Sequence, residues 1–395
     1  MSGLEGNIIK YNLYRIFTKR LFLPLIAIHL AQVGGVTLAQ LGIIASVTAL
    51  TQVFFEIPTG YIADKWGHKK AIILGSFIAS ISVLPYILMP NFYGGLIASA
   101  MFFAGMAFGS GTMQAFIHET LIALGREKDY ARVMGKAQSY GLLGNVVLIS
   151  IVPLTYSIDK SLPFIIGFIF LLASLFLVIS FKTPAARIPE GVSDLSLFSE
   201  FKKSFPKTIW TRLILVFMIF GVTSTAFDQT LYKEIIFFDL GIPIKYFGLI
   251  LALGSLLAAL SANFVHRLKD LRPERFYLFD IAYVGILFLM VGLFKNPVLS
   301  VLAFALFPAY DRTRNIVYEA QLFEEFPNIK YKSTLISILN FFTHGNGVWI
   351  PLVLAFSVAE TNVIFGHFVF GVILLIILLP ILLIHNSALR KNGKG

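Results

Sequence analysis

A stripe of ionisable and polar side chains lies on one mostly apolar segment late in the chain. Asp311, Arg314, Asn315, Tyr318 and Glu319 follow one another at i, i+3, i+4, i+7 and i+8, a spacing that puts side chains on one face of an α-helix. If the segment crosses a bilayer, a charge facing hydrocarbon costs at least about 2.5–3.5 kcal/mol. We therefore expect this face to line a polar path inside the protein.

A second segment carries a similar stripe 200 residues earlier, with Gln114, His118 and Glu119. A buried carboxyl group can exchange a proton near neutral pH because desolvation disfavours its charged form. The predicted proton-coupling residues are Glu56, Glu119, Asp228 and Asp311. The predicted solute-binding residues are Gln114, His118, Gln138, Asn145, Asp228, Tyr310, Asp311, Arg314, Tyr318, Asn340 and His344.

Each candidate also has a structural interpretation. Glu119 and Glu319 lie near segment ends, where a loop Arg or Lys could pair with them. His118 and His344 could be hydrogen-bonded packing residues. No group of His, Asp and Glu has the spacing of a metal site, and we predict neither a metal nor another cofactor.

Composition indicates that a bilayer is the main solvent of these segments. Of the 395 residues 57% are hydrophobic and only 13% charged, against about 25% charged in soluble proteins. The mean hydropathy is +0.81. The chain has no cysteine, which excludes disulfides and thiolate chemistry. The net charge of +11 is not arranged as a nucleic-acid platform, where basic residues alternate with aromatic ones.

Twelve apolar stretches are long enough to cross a bilayer, which takes about 20 residues. They cover residues 14–34, 39–62, 71–90, 93–120, 131–152, 162–181, 209–233, 244–265, 275–294, 298–322, 331–356 and 362–385. With both termini cytoplasmic, most of the 32 Lys and Arg residues fall on cytoplasmic segments, including Lys10, Arg15, Lys19 and Arg20. The outer side then holds Lys160, Lys233, Lys245 and Lys295, which follows the positive-inside rule.

The spans form two halves whose sequences resemble each other at an offset of about 200 residues. We predict an N-terminal six-helix bundle over 1–181, a Pro-containing cytoplasmic linker over 182–208 and a C-terminal six-helix bundle over 209–395. Parallel repeats of this kind occur in transporters. The N-terminus is expected to be a retained first span and not a cleaved signal.

The loop after the second span is the most specific motif. Residues 60–70 read GYIADKWGHKK, which resembles the major facilitator superfamily motif Gly-x-x-x-Asp-Arg-x-Gly-Arg-Arg. Gly60, Asp64 and Gly67 match it, Lys69 keeps the charge of an Arg, and His68 replaces an Arg. The resemblance implies an all-α membrane fold of two six-helix bundles, and a conformational latch formed by Gly60, Asp64, Gly67 and Lys69. It also implies alternating access to a central site.

We expect a secondary transporter and not an enzyme, because neither a phosphate-binding loop nor a hydrolase motif is present. Proton-coupled export of an amphipathic or drug-like compound is the first expectation. Span four lacks the Arg often found in drug antiporters of the family, so uptake of a small anionic or polar metabolite, or lipid flipping, stays open. Arg314 is the candidate anion ligand. The expected partners are a small solute, a proton and membrane lipids, and the expected state is a monomer in the plasma membrane.

The latch assignment predicts the behaviour of Asp64→Asn. Loss of the carboxylate should slow transport in reconstituted vesicles and leave ligand affinity nearly unchanged, because the latch governs a conformational step. Unchanged turnover would contradict the assignment.

Overall fold

The computed structural model describes residues 3–110, 112–184, 221–227, 230–261, 273–325, 345–356 and 362–392. The described residues are nearly all helical and contain no strand, so the expected all-α class is confirmed. The helices are α1 Glu5–Phe17, α2 Ile26–Gly34, α3 Leu38–Trp66, α4 His68–Ile81, α5 Leu84–Leu88, α6 Phe92–Gly109, α7 Thr112–Ala123, α8 Tyr130–Ile151, α9 Leu162–Ile179, α10 Val222–Phe227, α11 Thr230–Asp239, α12 Phe247–Ser261, α13 Pro273–Gly292, α14 Pro297–Glu325, α15 Gly345–Phe356 and α16 Val363–Asn392.

Every span proposed from the sequence overlaps at least one of these helices. Eight described stretches are long and apolar enough to cross a bilayer, and shorter apolar helices cover Leu23–Gly34, Pro297–Asp311 and Gly345–Phe356. Several spans are broken: α4 and α5, for example, share one span, and Pro85 lies in the first turn of α5, where its missing N–H is tolerated. The count of twelve stays a prediction.

The chain divides into two compact units. Unit 1 comprises Met1–Pro189 and Pro243–Ala252, and unit 2 comprises Glu190–Ile242 and Leu253–Gly395. The boundaries 1–181 and 209–395 proposed from the sequence stay a prediction, and the linker from residue 185 onward lies outside the described residues. Within unit 1, α3 and α4 pack on α6, and α1 packs on α8 and α9; within unit 2, α13 packs on α14 and α16.

The N-terminal helical region starts before the first span predicted from the sequence. Helix α1 begins at Glu5 and runs against α8 and α9, and a short 3-10 turn at Leu23–Leu25 then precedes α2. The expectation that Arg15, Lys19 and Arg20 lie in a cytoplasmic segment stays a prediction. Of α1, Asn7, Tyr11 and Tyr14 are buried.

Three side chains cap the C-terminal end of α9. The Lys10 ammonium donates to the Ser180 carbonyl at 2.5 Å, and the Lys69 ammonium donates to the Phe181 carbonyl at 2.6 Å. The Asn7 amide donates to the Lys182 carbonyl at 2.7 Å. Cations are favourable at this end of a helix because the last carbonyls are unpaired and carry the negative end of the dipole. The loop motif and the N-terminal helix are thus both tied to the sixth span.

Helices α4 and α6 approach each other through two glycines. A Cβ atom at Gly75 would lie 2.5 Å from the Gly105 carbonyl oxygen, and one at Gly105 would lie 2.6 Å from the Gly75 oxygen. Only residues without a side chain permit so close a backbone approach, as is common between membrane helices. This contact fixes α6, and with it the aromatic residues that α6 carries.

The glycine contact predicts a contrast between two alanine variants. Gly105→Ala should lower the free energy of unfolding by about 1–3 kcal/mol, because the backbone of α4 must move away. Gly135→Ala is the matched control: it lies within α8, its Cβ would meet nothing within 4 Å, and alanine favours a helix by about 0.8–1.0 kcal/mol over glycine. Thermal unfolding in detergent measures both. Equal melting temperatures for the two variants would contradict the contact.

Candidate functional site

A fully buried guanidinium group organises unit 2. Arg314 of α14 donates from Nη1 to Asp280 Oδ1 of α13 at 2.8 Å and from Nη2 to Asp311 Oδ1 at 2.8 Å. Its Nη1 also lies 3.0 Å from the Thr223 hydroxyl oxygen, and the Ser224 hydroxyl donates to Asp311 at 2.8 Å. Arg314 and Asp280 are 0% exposed. One cation therefore holds α10, α13 and α14 together.

Aromatic rings close the cluster on one side. The Arg314 guanidinium carbon lies 5.6 Å from the Phe307 ring centre and 5.7 Å from that of Tyr310. The Tyr310 ring packs 4.2 Å from Tyr283 and 5.7 Å from Phe279, measured between centroids. Cation–π attraction is strongest where water is excluded. The expectation that Tyr310, Asp311 and Arg314 share one environment agrees with this arrangement.

Asp280 was not among the sequence candidates, although a signal for it existed. It is the one acidic residue of the apolar stretch 275–294, and an isolated carboxylate in such a stretch marks a functional or paired site. Lys233 and Glu234 are likewise buried, at 4% and 1% exposure. The helix that carries both residues packs against α14 and α16, and the assignment of Lys233 to the outer side of the membrane stays a prediction.

Unit 1 contains a cavity of about 360 Å³. The polar part of its wall includes Arg15, Thr18, Gln52 and Gln114, and the apolar part is largely aromatic and sulfur-containing: Tyr11, Tyr14, Phe102, Phe103, Met106 and Met113. Gln114 is thus placed on a cavity, as the sequence stripe predicts. Rings beside hydrogen-bonding groups in a concave site are typical of small-molecule pockets.

Three cations lie at or beside this cavity. The Arg15 guanidinium makes a short hydrogen bond to the side-chain oxygen of Gln138, so the predicted residue Gln138 contacts the cavity wall indirectly. Arg20 donates to the Tyr86 hydroxyl at 2.7 Å, and its guanidinium carbon lies 4.4 Å from the centre of the Phe102 ring. The third cation is Lys19, which follows the lining residue Thr18 in the sequence. Among the described residues no carboxylate pairs with any of the three.

His118 and Glu119 lie away from the cavity, at the end of α7. His118 Nε2 lies 3.5 Å from Glu127 Oε1, and His68 Nδ1 lies 3.1 Å from Glu119 Oε1. The partner of Glu119 is therefore the histidine that replaces an arginine of the loop motif. This arrangement supports the structural interpretation that the sequence left open for Glu119. Asn145 is partly buried on α8.

The loop motif is only partly described. Gly67 has φ +94°, which side-chain-bearing residues rarely adopt, and it separates α3 from α4. A Cβ at Gly60 would meet no atom within 4 Å, so the described part of the chain makes no close helix contact at this glycine. Outside the description lie the residues Asp228, Asn340 and His344 and the side chains of Glu56, Asp64 and Tyr318. Their predicted roles, like the latch itself, stay predictions.

Comparison with known proteins places these features in one family. The model of the Major Facilitator Superfamily matches residues 13–310. The sucrose permease of Escherichia coli is 26% identical over 298 residues, which cover 70% of this chain and 68% of the permease. The raffinose permease of Escherichia coli is 27% identical over 153 residues, which cover 36% of this chain and only 34% of that protein.

A solved structure supports the fold over nearly the whole length. The nucleoside transporter NupG superposes with a TM-score of 0.75 at 16% identity, covering 96% of this chain and 99% of the transporter. At that identity the likeness concerns the fold alone.

The buried cluster predicts the stability of Arg314→Met. Removing the cation leaves the fully buried Asp280 carboxylate without the guanidinium that pairs with it, which should destabilise the protein by about 3–5 kcal/mol. Arg126→Met is the matched control, because Arg126 makes a partly exposed pair with Asp129 at 2.8 Å, and such pairs contribute about 0–1 kcal/mol. Thermal unfolding in detergent compares the two; a melting temperature for Arg314→Met equal to the control would contradict the role of the cluster.

Proposed function

Because the chain belongs to the Major Facilitator Superfamily, we propose that it takes up a small polar solute by proton-coupled alternating access. The protein is an integral multi-pass membrane transporter and not an enzyme. The buried contact of Arg314 with two carboxylates is the observation that carries the coupling proposal. The polar and aromatic cavity of unit 1 supports a polar solute.

Charge balance explains why the Arg314 cluster suits a proton. Among the described residues one guanidinium faces two carboxylates, so these three side chains together carry one excess negative charge when both carboxylates are ionised. A buried uncompensated charge costs several kcal/mol, and binding of one proton removes it. Asp280 Oδ2 is buried without a hydrogen-bond partner in the described part of the chain, and it is the atom to which we assign the proton.

Protonation also changes contacts between helices. An uncharged Asp280 attracts Arg314 less, while Asp311 keeps its bonds from Arg314 and Ser224. The link between α13 and α14 is then weaker than the link between α10 and α14. A proton can in this way bias one arrangement of the helices over another, which is what coupling to a gradient needs.

The solute is proposed from the cavity and the relatives together. Hydrogen-bonding amides and hydroxyls beside aromatic rings suit a compound with many hydroxyl groups, and the raffinose and sucrose permeases are named for such compounds. Export of an amphipathic or drug-like compound, the first expectation from sequence, stays a prediction with less support, and lipid flipping also stays a prediction. A monomer in the plasma membrane with cytoplasmic termini is likewise proposed, and the basic cytoplasmic loops support this orientation.

Reconstitution into vesicles tests the proposal. Radiolabelled sucrose, D-glucose and uridine are each offered separately to the vesicles. We expect at least one of them to accumulate when the exterior is acidic, and accumulation to stop when an ionophore removes the pH gradient. In Asp280→Asn, which mimics the protonated group, accumulation should fall at least about tenfold while counterflow exchange persists, because binding is retained and the energy source is lost.

Asp159→Asn is the matched control, because Asp159 lies in an exposed loop and caps the Ser161 N–H at 2.7 Å. It should accumulate solute like the wild type. Coupled accumulation in Asp280→Asn at the wild-type level would refute the assignment of the proton. Efflux of a hydrophobic cation such as ethidium, with no uptake of any polar solute, would contradict the uptake proposal and support export.

A further inference from the structure

We propose that the unit 1 cavity is an oxyanion subsite in which Arg15 binds a carboxylate or phosphate group of a hydroxylated solute. The inference rests on the proposed function for its solute class but goes beyond it, because it specifies that the solute is charged. It also moves anion recognition from Arg314, where the sequence placed it, to the other unit. Three observations carry it.

The first observation is that the arginine of unit 2 has carboxylate partners, whereas the cations of unit 1 have none among the described residues. All three nitrogens of the Arg314 guanidinium are engaged by Asp280, Asp311 and Thr223, so little of its hydrogen-bonding capacity is left for a solute anion. Arg15, Lys19 and Arg20 have no carboxylate partner among the described residues. Positive charges surrounded by low-dielectric walls produce a strong field, which attracts anions.

The second observation is the unused hydrogen-bonding capacity of Arg15. A guanidinium has five N–H donors in a planar fork, and the Gln138 oxygen accepts from only one nitrogen, Nη2. Arg15 lines the cavity, together with Thr18, Gln52 and Gln114. Two parallel N–H donors match the two oxygens of a carboxylate or phosphate, and the surrounding amides and hydroxyl can bind hydroxyl groups of the same solute.

The third observation is the manner in which Arg20 is held behind the cavity wall. Its guanidinium packs on the ring of Phe102, which lines the cavity, and within 5.8 Å of the centres of Phe22, Tyr86 and Phe103. Its Nε is buried without a hydrogen-bond partner in the described residues. Rings and a hydroxyl hold the charge without neutralising it, so its field reaches the cavity and strengthens anion binding at Arg15.

Binding can be measured on the purified full-length protein without any gradient. Isothermal titration calorimetry compares the affinities of three sugars that share one ring: D-glucuronate carries a carboxylate, D-glucose 6-phosphate carries a phosphate, and D-glucose is uncharged. We expect at least one anion to bind at least about tenfold more tightly than D-glucose. Arg15→Gln should remove that preference, and Arg15→Lys should restore part of it, because lysine keeps the charge but loses the fork.

Arg126→Gln is the matched control, since it removes a guanidinium from an exposed loop outside the cavity, and its anion affinity should equal that of the wild type. Binding of D-glucuronate alone assigns a carboxylate, and binding of D-glucose 6-phosphate alone assigns a phosphate. Three results would overturn the inference. D-glucose could bind as tightly as both anions, neither anion could bind at about 10 mM, a concentration far above the Kd of a typical specific ligand, or Arg15→Gln could leave the anion affinity unchanged.

The vesicle experiment distinguishes this failure from failure of the proposed function. Proton-driven uptake of an uncharged solute without anion binding refutes the oxyanion subsite and leaves coupled transport intact. Arg15-dependent anion binding without proton-driven uptake of the bound anion leaves the subsite intact and refutes the coupling.

Discussion

The need to compensate charge inside a low-dielectric bundle shapes both units of this protein. Unit 2 meets it with opposite charge, because Arg314 is held by Asp280 and Asp311 from two helices. Unit 1 meets it with aromatic faces and hydroxyl groups, which stabilise Arg20 but leave its charge unbalanced. The two solutions have different consequences, since a cluster with one carboxylate more than its cation needs can exchange a proton and a cation without a carboxylate partner can attract an anion.

A few contacts between neighbouring helices hold these charges in place. Gly75 and Gly105 let α4 and α6 approach, which brings Phe102 of α6 against Arg20. At the opposite end of the unit, Lys10 and Lys69 bond to the last carbonyls of α9. Positively charged side chains thus have two separate roles in unit 1. Lys10 and Lys69 bind carbonyl groups at a helix end, and Arg20 contributes a positive field near the cavity.

The loop motif gains a physical meaning from this arrangement. Lys69 keeps the charge of the family's Arg and uses it on a helix end, whereas His68 replaces another Arg and contacts Glu119. Each substitution retains a donor at its place. Through these two contacts the motif ties α4 to α7 and to the end of α9 within unit 1.

Much of the architecture was determined by the sequence alone. Apolar length indicated where helices lie, because a bilayer sets the length of a helix that crosses it, and helical spacing put Asp311 and Arg314 on one face, where they contact each other. Spacing cannot report which helices face each other, however, so the partnership of Arg314 with Asp280, 34 positions away, was decided only by the tertiary structure. The same holds for Arg15 and Arg20: the sequence does not report that Arg15 contacts Gln138 of α8 and that Arg20 packs on Phe102 of α6, because these partners are distant along the chain.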